Sequence, residues 1–360
     1  MTTVHFVVPD GIDDPKRPSG GNVYDRRLSD GLRALGWGVP EHGVAGSWPE
    51  PDAPARAALD AVIAGLPDGA VVLVDGLIAS TAPEVLVPAA RRLRLVVLVH
   101  MPLGDIRAHH LRFADDPSGA DQRERSVLSA AAAVVTTSEW TRRRLIDRYE
   151  LPPHRVHAAR PGVDAADLAS GSGPGGDLLC VAAVAPNKGH DVLLAALAKI
   201  ADVPWRCTCV GSLDRDPGFV ELLRRQVRAD GIEHRVHFAG PRTGGNLDTT
   251  YASADLLVLA SHAETYGMVV VEALARGIPV VATAVGGLPE ALGHATGGRQ
   301  PGLLVPSGDA GALAAALRDW LGDADLRTQL RRAARDRRDG LTDWSTTARH
   351  VSTILSDVAA

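Results

Sequence analysis

The chain has 360 residues, 45% of them hydrophobic and 22% charged, with a formal net charge of −5. That length exceeds what one hydrophobic core usually holds, so two domains are expected. The charge provides no basic footprint for nucleic acid, and no apolar run is long enough to span a bilayer.

The sequence runs straight into the strand-like Val4-His5-Phe6-Val7-Val8, so no signal peptide is expected. Cys180, Cys207 and Cys209 lie in strand-like apolar runs and read as buried thiols of a reducing compartment, so a cytoplasmic location is expected. Arginine dominates the basic residues, and the lysines are Lys16, Lys188 and Lys199.

In chain order, strands are predicted at 4–9, 70–74, 94–99, 133–137 and 155–159. Helical periodicity falls at 22–35, 53–64, 82–92, 120–132 and 139–149. A second series of strands follows at 178–184, 206–210, 235–239, 255–260, 279–283 and 302–305, with helices between them and helical tails at 309–321, 325–338 and 344–357. Val/Leu/Ala-rich strands alternating with helices predict parallel sheets covered on both faces, hence doubly wound α/β domains. The Gly/Ser-rich run Ser170 to Gly176 reads as a linker. The expected division is residues 1–165, a linker at 166–177, residues 178–342, and a helix at 343–360 that can return to the N-terminal domain. Two such sheets facing one another would form a cleft, with ligands outside the carboxyl ends of the strands.

Five segments carry candidate chemistry. In Ser261-His262-Ala263-Glu264-Thr265-Tyr266-Gly267-Met268-Val269, a strand ends, a polar loop follows, and Gly267 opens a helix whose first turn favours an anion such as diphosphate. Glu264 on the loop and Glu272 on the helix are carboxylates able to accept hydrogen bonds from sugar and ribose hydroxyls. Glu272 fits equally well as a dipole-favoured glutamate on a solvated face. Lys188-Gly189 follows the strand that begins the second half and could reach a phosphate, or be an exposed turn lysine. Gly286-Gly287 with Glu290 reads as a turn open to close ligand approach, or simply as a turn before a helix. In the first half, Gly20-Gly21 joins the first strand to the first helix, and His100 ends an apolar strand at the sheet's carboxyl edge.

Together these segments resemble the retaining glycosyltransferases of family 4 (GT4). The family's E-x7-E motif matches Glu264 to Glu272, its lysine–glycine element Lys188-Gly189, and its glycine pair Gly286-Gly287. Gly240 follows strand 235–239, and Arg160-Pro161-Gly162-Val163-Asp164 is similar to the family's interdomain segment. The resemblance covers most of residues 94–322 and is looser in the first 90.

It implies the GT-B fold, two Rossmann-like doubly wound domains facing across a cleft, and a nucleotide-diphosphate sugar donor. Glu272 would hold the donor ribose, Glu264 the sugar hydroxyls, and the Gly267 and Met268 amides the sugar or phosphate. Tyr266 and Val269 would complete that donor loop. Lys188 would neutralise the leaving diphosphate, His100 would contact the transferring sugar, and Gly20-Gly21 would approach the phosphates. His100, Glu264 and Lys188 are thus the expected catalytic residues. His109, His110 and Arg112 are candidate acceptor residues. One departure stands out: the family's arginine five positions before the lysine is Ala183 here, and Arg242 is a candidate substitute.

The expected reaction transfers a hexose-type sugar from a UDP-sugar, or a GDP-sugar, to an acceptor, with no cofactor and no divalent ion. Asp214-Arg215-Asp216 reads as a solvated turn rather than a metal site. No membrane association is expected, because Arg91-Arg92 and Arg142-Arg143-Arg144 sit on no clear amphipathic anchor. The alternatives are a nucleotide-sugar epimerase of the same fold and a non-catalytic nucleotide-sugar-binding protein, the latter favoured only by Ala183.

Overall fold

A computed structural model describes residues 2–14, 19–104 and 117–360 of the chain. His109, His110 and Arg112 lie outside the described residues. The described residues form two compact units, residues 2–14, 19–104, 117–162 and 342–360 in one, and 163–341 in the other.

The N-terminal unit is built on a six-stranded sheet with the order β2-β1-β3-β4-β5-β6. The strands are β1 Val4–Pro9, β2 Glu41–Val44, β3 Val71–Asp75, β4 Arg94–Val99, β5 Ala133–Thr136 and β6 Val156–Ala158. Every neighbouring pair is parallel. The run Val71 to Asp75 is buried throughout because successive side chains point to opposite faces and both faces are covered. Val72, Val74, Leu95 and Val97 enter one core with Leu59, Ile63 and Leu86. Leu73, Val96 and Leu98 enter the other with Tyr24, Leu28, Val351 and Leu355.

Val351 and Leu355 belong to the last helix, Trp344–Ala359, which therefore completes a layer of the N-terminal unit. Gly31 permits this, since a Cβ there would lie 2.5 Å from the Ala348 Cβ. Strand β2 is absent from the sequence expectations. It is a short edge strand of Glu-His-Gly-Val with one buried residue, so it carries no apolar run to detect. Its Glu41 accepts from Arg26 and Arg33.

The C-terminal unit holds β7 Asp177–Val181, β8 Arg206–Val210, β9 Val236–Gly240, β10 Leu256–Leu259, β11 Val280–Thr283 and β12 Gly302–Val305. Their order is β12-β11-β10-β7-β8-β9, again parallel throughout. The Gly/Ser-rich stretch before β7 is tied to this unit. The Ser170 and Gly171 amides donate to the Ala252 carbonyl, and those of Ser172 and Asp177 to the fully buried Asp255 carboxylate. Arg331 pairs with the same carboxylate at 2.7 Å. A buried charge must be satisfied in this way, so the stretch is anchored where glycine content alone predicts a flexible linker. Cys180, Cys207 and Cys209 are buried free thiols. No helix among the described residues is long and apolar enough to cross a membrane.

Candidate functional site

Read from its β9 edge, the C-terminal sheet has the order 3-2-1-4-5-6 of the dinucleotide-binding folds. The strand order reverses between β7 and β10, and ligands of such sheets bind beyond the carboxyl ends of those two strands. Two loops meet there. The loop after β7 carries Lys188, and the loop after β10 carries Glu264. The His262 amide donates to the Asn187 carbonyl at 2.9 Å and stitches them together. Gly189 has φ +64°, and a Cβ there would sit 2.0 Å from the Ala260 carbonyl oxygen. Only glycine allows this approach. Gly189→Ala is expected to lower Tm and to weaken nucleotide binding together, read by thermal melts with and without nucleotide.

The result is an ion pair between Lys188 Nζ and Glu264 Oε1 at 2.5 Å, with both side chains largely buried. Ser261 Oγ donates to the same oxygen at 3.1 Å. Gly286 and Gly287 pack against the Glu264 loop. A Cβ on Gly286 would lie 1.7 Å from the Glu264 carbonyl oxygen, and one on Gly287 2.2 Å from that of Thr265. Their smallness lets the β11 turn back the Glu264 loop, and the Gly287 amide donates to the Glu264 carbonyl at 2.9 Å. They hold the loop against protein.

The helix Met268–Ala275 begins at Gly267, with φ +97° and no side-chain cap. Its first-turn amides have no acceptor from the cap and carry the positive end of the dipole. Met268 and Val269 are part-exposed there, whereas the Tyr266 ring packs into the core. Glu272 lies one turn further on. Its Oε2 accepts from Tyr251 Oη at 2.8 Å. Burial raises the Glu272 pKa, while the Tyr251 hydrogen bond and the Arg276 charge oppose that rise. The Arg276 guanidinium stacks 4.6 Å from the centre of the Tyr251 ring and donates to the Glu272 carbonyl. Sequence reasoning missed Tyr251, because it stands 21 positions from its partner and has no local signature.

Gly240 ends β9 with φ +71° and open space where a Cβ would be. Arg242 beyond it donates to Thr250 Oγ1 at 2.6 Å, and β9 lies two strands from β7. Arg215 stands on the loop after β8, the strand next to β7. That loop is bonded to the segment holding Ala183, with Val184 N donating to the Ser212 carbonyl at 2.9 Å. Arg215 therefore stands on the loop bonded to the segment that holds Ala183. Its neighbour Asp216 caps the following helix through the Phe219 amide.

The N-terminal sheet has its own switch point, between β1 and β3. Gly20 and Gly21 open the helix that follows β1, with Ser19 as its cap. His100, just past β4, stands at the same edge. A Cβ on Gly21 would meet the His100 ring at 3.2 Å, so Gly21 makes room for the imidazole. His100 Nε2 lies 2.7 Å from Asp25 Oδ1 and 3.5 Å from Asp75 Oδ2. Neither aspartate was anticipated, since each reads locally as a helix or strand-end polar residue.

Two doubly wound parallel units, each with chemistry at its switch point, define the class as GT-B. The described fold matches sucrose-phosphate synthase from Thermosynechococcus elongatus (TM-score 0.77, 22% identity, 99% of each chain). It matches Anabaena HepE in complex with UDP-glucose equally well (TM-score 0.77, 19% identity, 99% of this chain and 100% of that one). In sequence, residues 173–337 match the glycosyl transferases group 1, and residues 73–167 match glycosyltransferase family 4. The chain belongs to glycosyltransferase family 4. It is similar to the D-inositol 3-phosphate glycosyltransferase of Kineococcus radiotolerans (34% identity, 65% of this chain and 59% of the relative). The corresponding Salinispora tropica protein is 31% identical over 74% of this chain and 60% of its own length. The chain thus spans about 60% of the length of these relatives.

Proposed function

We propose that the protein is a retaining glycosyltransferase that moves a hexose-type sugar from a UDP-sugar to an acceptor hydroxyl. The observation that carries this reading is the Lys188–Glu264 pair at the β7/β10 switch point, beside the uncapped helix at Gly267. A diphosphate there would draw Lys188 Nζ and the Met268 and Val269 amides, freeing Glu264 to accept from sugar hydroxyls. Glu272 would accept from the ribose. In the step itself the anomeric C–O bond to the diphosphate breaks, and the acceptor oxygen bonds the same carbon on the same face. The acceptor proton passes to the departing phosphate oxygen. Fixed positive groups aimed at that oxygen are worth most where charge develops. Arg215 is the candidate for the cation that Ala183 does not supply.

UDP is adopted because the structurally similar HepE holds UDP-glucose. The named substrate of the curated relatives makes a polyol phosphate the first acceptor to try. The test is a thermal-shift screen of UDP- and GDP-sugars, then turnover with the best donor, with and without EDTA. Stabilisation by UDP-sugars and chelator-insensitive turnover are expected. Donor interconversion without an acceptor would favour an epimerase. Activity lost to EDTA and restored by Mg²⁺ or Mn²⁺ would remove the metal-free reading.

A further inference from the structure

Asp25, Asp75 and His100 form a buried cluster that no sequence motif marks. Asp25 lies on the helix Gly20–Ala34 and is 1% exposed; Asp75 ends β3 and is 3% exposed. Their ligand-capable atoms and that of His100 lie within 4.8 Å of one another. The imidazole is held on three sides. Gly21 lies against the ring, Tyr24 meets it edge-on with centroids 5.3 Å apart, and Nε2 is engaged by Asp25. Tyr24 is itself fixed by its hydroxyl, which donates to the Ala159 carbonyl at 2.9 Å. No described residue is bonded to Nδ1.

We propose that Asp25 is a positioning residue that holds His100 as an imidazolium, with Asp75 as the neutral acid of the cluster, so that Nδ1–H is presented as a cationic donor to an oxygen of the bound substrate. The inference deepens the glycosyl-transfer reading only in naming what the ring meets; the protonation state stands on the cluster alone. Asp25 and Asp75 adjoin in the cluster, and two adjoining buried carboxyls cannot both ionise cheaply. Asp75 Oδ1 accepts from the Leu77 amide at 2.7 Å. Burial, and then the Asp25 charge, push Asp75 up to about 7, against the opposing charge of His100. For His100, burial alone would favour the neutral ring. The charge and hydrogen bond of Asp25 oppose this and push the ring's pKa up. Tyr24 remains neutral, because burial and the neighbouring Asp25 raise its pKa. Below the Asp75 value of about 7, one carboxylate, one acid and one imidazolium leave the cluster without net charge, the state that burial favours.

The ordering matters for function because a neutral histidine with Nε2–H on Asp25 would present Nδ1 as an acceptor, whereas the imidazolium presents it as a donor. The substrate class that fits is a hydroxyl oxygen or phosphate oxygen, not an amine.

The test is an NMR titration of the histidine-labelled full chain, with the His100 signal assigned by its loss in His100→Gln. In the wild type the ring should stay protonated well above pH 7. Asp25→Asn should lower its midpoint by about one to three units, and Asp25→Glu should restore most of the shift. With turnover established, the basic limb of kcat/KM should move down by the same interval in Asp25→Asn. A wild-type midpoint at or below 6.5, or one unmoved in Asp25→Asn, would overturn the inference. So would saturable displacement of the His100 signal by Zn²⁺ or Mn²⁺ at micromolar concentration, which would make the cluster a cation site. Absence of turnover with any donor would sink the transfer reading and still leave the titration to decide this one.

Discussion

Lys188→Met is expected to lower kcat by about 100- to 1000-fold while changing donor KM far less, the size seen when one fixed electrostatic stabiliser is removed from a developing oxyanion. The distinction follows from where the charge is needed. Lys188 is paired with Glu264 at 2.5 Å, so donor binding would exchange one anionic partner for another. The gain comes as the diphosphate departs and its charge grows. The variant also strands Glu264, whose side chain is 13% exposed. A part-buried carboxylate without its cation is destabilising, so Tm should fall too. Lys188→Met/Glu264→Gln separates the two effects. It should recover much of the Tm and none of the rate. Recovery of turnover in the double variant, or a single variant with wild-type kcat, would remove Lys188 from the leaving-group role.

Glu272→Ala should weaken UDP binding by about 10- to 100-fold, the loss of one or two hydrogen bonds to a charged acceptor. Calorimetry with UDP alone reads this without any acceptor. Tyr251→Phe should act in the same direction by about 3- to 10-fold, because it removes the hydroxyl that orients Glu272 Oε2. Stability should move the other way in Glu272→Gln. Burial raises the Glu272 pKa in the folded chain above its unfolded value. The folded state therefore holds the proton more tightly, and the ionised carboxylate subtracts from stability as pH rises from the unfolded value through the folded one. The neutral amide is free of that cost, so its Tm advantage over wild type should grow across that interval. A variant with higher Tm and weaker UDP binding is the pattern of a site residue kept at some expense to the fold. Unchanged UDP affinity in Glu272→Ala would end the ribose assignment.

The central strands of both sheets were legible because they are short apolar runs buried on two faces, as Val71 to Asp75 and Leu256 to Leu259 show. The edge strand Glu41–Val44 was not, since an edge strand with one buried residue needs no hydrophobic pattern. Glu264, Lys188 and the Gly267 helix start were likewise readable, because strand ends, glycine and helix starts have local signatures. The meaning of several glycines was not. Gly286, Gly287 and Gly21 looked like openings for ligand, and the structure shows protein atoms occupying the space a Cβ would take. Whether a glycine faces ligand or protein depends on what a distant segment places beside it.

The sequence by itself determined the α/β class, the expectation of two sheets, and the type of residue at each strand end, because these follow from periodicity and backbone stereochemistry over a few neighbours. Tertiary structure alone decided which residues act together. Strand order brought β7 beside β10 and so put Lys188 against Glu264 across 76 positions. It brought Tyr251 to Glu272, and it joined Asp25, Asp75 and His100 from three separate elements. Those pairings arise from sheet topology and packing, and no stretch of contiguous residues encodes them.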